Sequence, residues 1–274
     1  MTSEQARLGG YIDAWKSAVD DTLLLLRSLD PDDWSLQTDL PGWDVRAVAA
    51  HLAHLESELA GFEQTVVEVP ELAHIRSPMG SYTELGPLAR AGWAPDAIID
   101  ELERAVRVRL AELREHPPTD GSADPPRTPD GIGWSWETLL RNRPLDVWMH
   151  EQDIRRAVRR PGNLDTPGAR HTAAVFAKSF GYSVGKGVAP PAGTTVVLDV
   201  LGAPPLHLAV QVNDDGRAVL MPADPDNPTV SLRMDLETFT VLGGGRRPAE
   251  TLEVEVTGDE QLGRRVLAAM AVTP

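Results

Sequence analysis

The chain has 274 residues, 41 acidic against 26 basic side chains, a formal net charge of −15 and no cysteine. The acidic balance argues against nucleic-acid and anionic-membrane surfaces, which reward positive charge; the missing cysteine excludes disulfide frameworks, protein thiolate metal sites and a cysteine nucleophile. Hydrophobic residues make up 42%, enough for packed cores, over a length that suits one large domain or two ordinary ones. No run approaches the roughly 18 apolar residues of a membrane helix. The opening Met-Thr-Ser-Glu-Gln-Ala-Arg has no basic stretch followed by an apolar one. The expectation is a cytoplasmic protein with neither membrane nor nucleic-acid partners.

In chain order, Leu8, Tyr11, Ile12, Trp15, Val19, Leu23, Leu26 and Leu29 follow the three-and-four spacing of a buried helical stripe, stopped by Asp30-Pro31. Asp44 is a good N-cap for a second helix running to about Phe62. A third begins at Pro95 and carries Ile98, Ile99, Leu102, Val106, Leu110 and Leu113. Residues 116–133, rich in Pro, Gly and Asp, read as a long loop. A fourth helix covers Ser135 to Arg159, with a kink or restart expected at Pro144. Four amphipathic helices with long connections predict an antiparallel bundle.

After Pro161-Gly162 one more helix, Thr166 to Val184, precedes a change of period from 3.6 to 2. Strands are predicted at 194–200, 206–212, 218–221, 230–234 and 252–256, with Asp214-Asp215-Gly216 as a hairpin turn. Short helices are predicted at 236–242 and 259–270. The fold class is therefore α+β in two domains, 1–160 helical and 161–274 α+β.

Asp146 and His150 are four apart, which on a helix sets both on one face, one turn apart. They can share a divalent cation such as zinc, which takes N and O ligands at about 2.0–2.2 Å. A third ligand has to come from another helix. His51, within Val48-Ala-Ala-His51-Leu-Ala-His54, is the choice, with His54 in reserve. Spacing alone leaves open the ordinary reading, in which these are core histidines.

Asp39-Leu-Pro-Gly-Trp-Asp-Val-Arg-Ala-Val-Ala-Ala-His51-Leu-Ala, followed by Asp146-Val-Trp-Met-His150-Glu-Gln-Asp153, resembles the mycothiol-dependent maleylpyruvate isomerase family. Leu242-Gly-Gly-Gly245-Arg246 and Val256-Thr-Gly258-Asp259 are similar to its closing motifs. The resemblance implies a DinB-like four-helix bundle followed by a sterol-carrier-like α+β domain. It also implies a divalent metal, zinc first, on His51, Asp146 and His150, with mycothiol as the low-molecular-weight thiol cofactor. One position departs: the family usually carries Glu where Asp146 stands, a carboxylate shorter by about one carbon–carbon bond, roughly 1.5 Å.

The implied activity is isomerase or S-transferase chemistry, in which a metal-bound thiolate attacks a small electrophilic substrate. Asp153 is placed to orient a ligand or bind polar groups of the thiol, and equally to be a solvated acid. Arg246, after three glycines, suits clamping a carboxylate of substrate or thiol, with Arg247 as its alternative. His74, His116, His171 and His207 have no partner at useful spacing, and Arg155-Arg156 and Arg159-Arg160 read as a solvated helix end. The rival reading is a non-catalytic binding protein whose second domain takes an apolar ligand or a protein partner.

Overall fold

The computed structural model describes residues 2–203 and 205–272. Helix α1 (Ser3–Arg27) is capped by the Thr2 side chain, which accepts from the Gln5 N–H, a contact worth about 1 kcal/mol in a typical helix. Its stripe Leu8, Trp15, Val19, Leu23 and Leu26 is buried, and a 3₁₀ turn over Pro31–Ser35 follows the stop. Helix α2 (Val45–Leu59) starts at the expected cap, the Asp44 carboxylate accepting from Ala47 N–H at 2.8 Å. Helices α3 (Pro78–Ala89), α4 (Pro95–Glu115) and α5 (Trp136–Ala157) complete the helical unit. The long helices pack α1 on α5 and α2 on α4, while α3 lies on α2.

Two features go beyond the sequence reading. Helix α3 occupies one of the long connections expected between the four helices and carries Pro87 inside it, while Pro78 and Gly86 occupy tolerant places. Ser77 caps it, Pro78 fills the first turn, where a missing N–H costs nothing, and Gly86 faces α2. Helix α5 runs through Pro144 as one element, with no restart. Its neighbour Arg143 is buried and anchored to α2, and α1 packs against the helix, which offsets the one backbone hydrogen bond that proline forfeits.

The chain divides into two compact units, one ending at His171 and the other starting at Thr172, within α6 (Pro167–Tyr182). The second unit holds a five-stranded sheet of order β3-β2-β1-β4-β5. Strands β1 (Thr195–Leu201), β2 (Leu206–Val212) and β3 (Ala218–Leu220) form an antiparallel meander, with Gly216 at φ 75° in the expected turn. Strand β4 (Val230–Asp235) pairs parallel to β1, with Leu198 opposite Leu232, and β5 (Glu255–Gly258) closes the sheet antiparallel to β4. Helices α7 (Leu236–Gly243) and α8 (Glu260–Ala268) pack on β4.

Strand β5 sits later than the expected 252–256, because Ala249–Thr251 form a 3₁₀ turn first. The Thr-Gly-Asp motif has a structural reason. Gly258 has φ +86°, and a Cβ there would lie 2.3 Å from the Thr229 carbonyl oxygen. Asp259 next to it caps α8, accepting from the Leu262 N–H at 2.9 Å. The whole is an α+β chain of two domains. Among the described residues no helix is long and apolar enough to cross a membrane.

Candidate metal centre

Helix α2 presents His51 from its middle, in a helix whose small residues Ala49, Ala50 and Ala53 let neighbours approach closely. Helix α5 presents Asp146 and His150 one turn apart, as their spacing requires. The three converge. His51 Nε2 lies 3.8 Å and His150 Nε2 lies 3.6 Å from the same oxygen, Asp146 Oδ1, and one ligand atom from each residue falls within 4.8 Å of the others. Those separations are too long for hydrogen bonds. The two histidine-to-carboxylate distances match the spacing, on the order of 3.3–4 Å, of ligands that share one ion at about 2.0–2.2 Å.

Each donor is held from behind. His150 Nδ1 faces Asp153 Oδ2 at 3.1 Å, which leaves its Nε2 directed at Asp146. Asp153 is fully buried and also bonded to Arg156, whose Nε donates to Asp39 Oδ2 at 2.7 Å. The solvated-acid reading of Asp153 is thereby corrected, and so is that of Arg156, which braces the site. Asp146 Oδ2 accepts from Arg143 Nη1 at 2.8 Å, so Oδ1 alone is turned to the histidines. His51 is set by packing: its ring centroid is 4.9 Å from that of His150 and 5.0 Å from that of Trp43, and its Nδ1 is buried with no hydrogen-bond partner among the described residues.

Trp43 in turn donates to Glu84 Oε1 at 2.6 Å, and the same oxygen meets His74 Nε2 at 2.6 Å. His74, which lacked a partner on spacing grounds, therefore stands behind Trp43, joined to it through Glu84. Glu84 comes from α3, the helix that sequence pattern did not show. No spacing rule links residues 43, 74 and 84; only the loop that returns over α2 does. His207, in the second unit, is likewise partnered, by Asp199 at 2.6 Å and Asp224 at 2.7 Å.

The electrostatics suit a cation. Burial pushes the His51 imidazole below its ordinary range, keeping it neutral. Burial alone would raise the Asp146 carboxyl, but the Arg143 guanidinium, His150 and His51 outweigh it and hold the group well below the usual carboxylate range. A neutral imidazole and an ionised carboxylate are the forms that bind metal. Two nitrogens, one oxygen and no sulfur make a donor set that zinc accepts, so the residues present fit the ion. The reserve ligand His54 stands apart: its Nδ1 faces Arg90 Nη1 at 3.3 Å, and desolvation and Arg90 push its pKa down to about 4. Arg246 lies in the second unit just beyond α7, half-buried, with Nη1 donating to the Gly244 carbonyl at 2.8 Å, while Arg247 is exposed.

Residues 15–155 match the family model described as the mycothiol maleylpyruvate isomerase N-terminal domain. The chain belongs to the mycothiol maleylpyruvate isomerase family. Residues 170–265 match the companion model, described as the MDMPI C-terminal domain. The fold is similar to that in the crystal structure of the mycothiol-dependent maleylpyruvate isomerase, with a TM-score of 0.56 and 19% identity over 91% of this chain and 92% of that one. A histidine-to-alanine mutant of that enzyme matches with a TM-score of 0.53 and 19% identity, over 88% of this chain and 90% of its own. No curated protein matches in sequence. All three metal-ligand candidates lie within the part of the chain that the N-terminal family model covers.

Proposed function

We propose that this family member is a cytoplasmic, metal-dependent enzyme that uses mycothiol to isomerise, or to transfer sulfur to, a small electrophilic substrate. The observation that carries the reading is the convergence of His51 and His150 Nε2 on Asp146 Oδ1 inside a chain of this family. A divalent ion there, zinc by its donor set, would supply the local positive charge that ionises a thiol at neutral pH. The protein's residues do the rest. His51, Asp146 and His150 would hold the ion, Asp153 fixes the His150 ring, and Trp43 walls one side against both imidazoles. Arg246 is assigned to a carboxylate of substrate or thiol, for which a guanidinium offers two parallel donors. The absence of protein cysteine fits chemistry in which the sulfur arrives with a small molecule.

Elemental analysis of metal-replete protein beside a His150→Ala variant tests the metal half of this proposal. One ion per chain is expected in the unmutated protein and a large loss in the variant. Equal content in both, or none in either, would contradict it.

A further inference from the structure

A buried ion pair beside the site supplies no candidate ligand. Glu56, on α2, has no exposed side-chain surface, and Arg143, on α5, has 3%. Arg143 divides its fork between two acids: Nε and Nη2 donate to Glu56 Oε1 at 3.1 and 2.7 Å, and Nη1 donates to Asp146 Oδ2 at 2.8 Å. Glu56 Oε2 accepts from Arg109 Nη1 at 2.7 Å, and the Trp15 indole N–H donates to Oε1 at 2.8 Å. A planar guanidinium fixed at two edges holds its third direction fixed as well, which a lysine cannot do.

We infer that Arg143 is a positioning residue for the metal centre, with Glu56 as its anchor: by occupying Asp146 Oδ2, it leaves Oδ1 as the single oxygen offered between His51 and His150. The inference rests on the metal reading above. It goes beyond that reading in assigning a role to a buried pair that touches neither ion nor substrate. It also has a consequence that charge alone reverses. Arg143 is a cation beside a cation site, so by Coulomb's law its removal should tighten metal binding, while loss of the Glu56 charge should loosen it. If positioning governs, both changes loosen it.

The test is zinc affinity, measured by competition with a chromophoric chelator, for the unmutated protein and for the Arg143→Met, Arg143→Lys and Glu56→Gln variants. Circular dichroism confirms the fold of each. Arg109 and Trp15 still pair Glu56 when Arg143 is replaced, which favours a folded variant. All three variants are expected to bind zinc about 10–100-fold more weakly, the range typical of groups that orient metal ligands. Cobalt(II)-loaded Arg143→Met is expected to show weaker visible bands than the unmutated protein, as the freed Oδ2 raises the coordination number. Unchanged or tighter zinc binding by Arg143→Met overturns the inference. Should that variant not fold, Arg143→Lys decides, because it keeps the charge and loses the fork: affinity equal to the unmutated protein overturns the inference equally. An unmutated protein that binds no zinc is a different result, and overturns the metal reading itself.

Discussion

Each candidate ligand is backed by a neighbour: Asp153 meets the His150 ring, Arg143 meets Asp146, and Trp43 packs on His51. What spacing could not show was how each is held. Asp153 is the clearest case: three residues past His150 it could face solvent or the ring, and only burial decides that it faces Nδ1. Replacing it by Asn should keep the fold and lower zinc affinity by about 10–100-fold, since the amide is a poorer acceptor for the ring N–H. A chelator competition that finds no change would remove Asp153 from the site. Arg246→Ala makes the converse prediction. Metal content should be unchanged and thiol or substrate binding weakened, read by elemental analysis and calorimetry on the same preparation; undiminished binding would return Arg246 to an ordinary surface role.

At the scale of elements, α3 carries the most informative difference between sequence and structure. Its two glycines and two prolines hide the helix from any periodicity count, yet one of those glycines is what brings it against α2. A Cβ at Gly86 would lie 2.7 Å from His54 Cβ, 3.0 Å from the Ala50 carbonyl and 3.1 Å from His51 Cα. Gly86→Val should therefore push α3 away from the turn that bears His51, destabilising the fold by about 1–3 kcal/mol. It should also loosen Glu84 and Trp43, and zinc binding with them. Thermal melts and zinc titration check this, and a variant that melts at the unmutated temperature would contradict the packing argument. The sheet was more readable than the helices around the site, because period-2 alternation and an Asp-Gly turn are local signals. Its last strand was placed a few residues early, because a 3₁₀ turn delays entry to the sheet and no alternation marks it.

At the scale of the whole molecule, buried ionisable groups make stability depend on pH. His54 is kept neutral by desolvation and by Arg90, its pKa pushed down to about 4, whereas in the unfolded chain it is about 6.5. Its contribution is fully present above about pH 6.5 and is lost as pH falls towards 4, a total on the order of 3 kcal/mol. His51, lowered by burial, acts in the same direction. Metal-free protein should thus lose stability across that window in urea unfolding, and His54→Gln should flatten the loss. A flat profile in the unmutated protein would contradict the burial argument.

The central claim, that a metal held by His51, Asp146 and His150 serves to ionise a small thiol, is tested most directly by titrating mycothiol into zinc-loaded protein by calorimetry in two buffers of different ionisation enthalpy. The account predicts binding that releases a proton, much weaker binding of the S-methyl analogue, and loss of both when zinc is removed. Equal binding of free and capped thiol, or binding that survives complete metal removal without proton release, would contradict it.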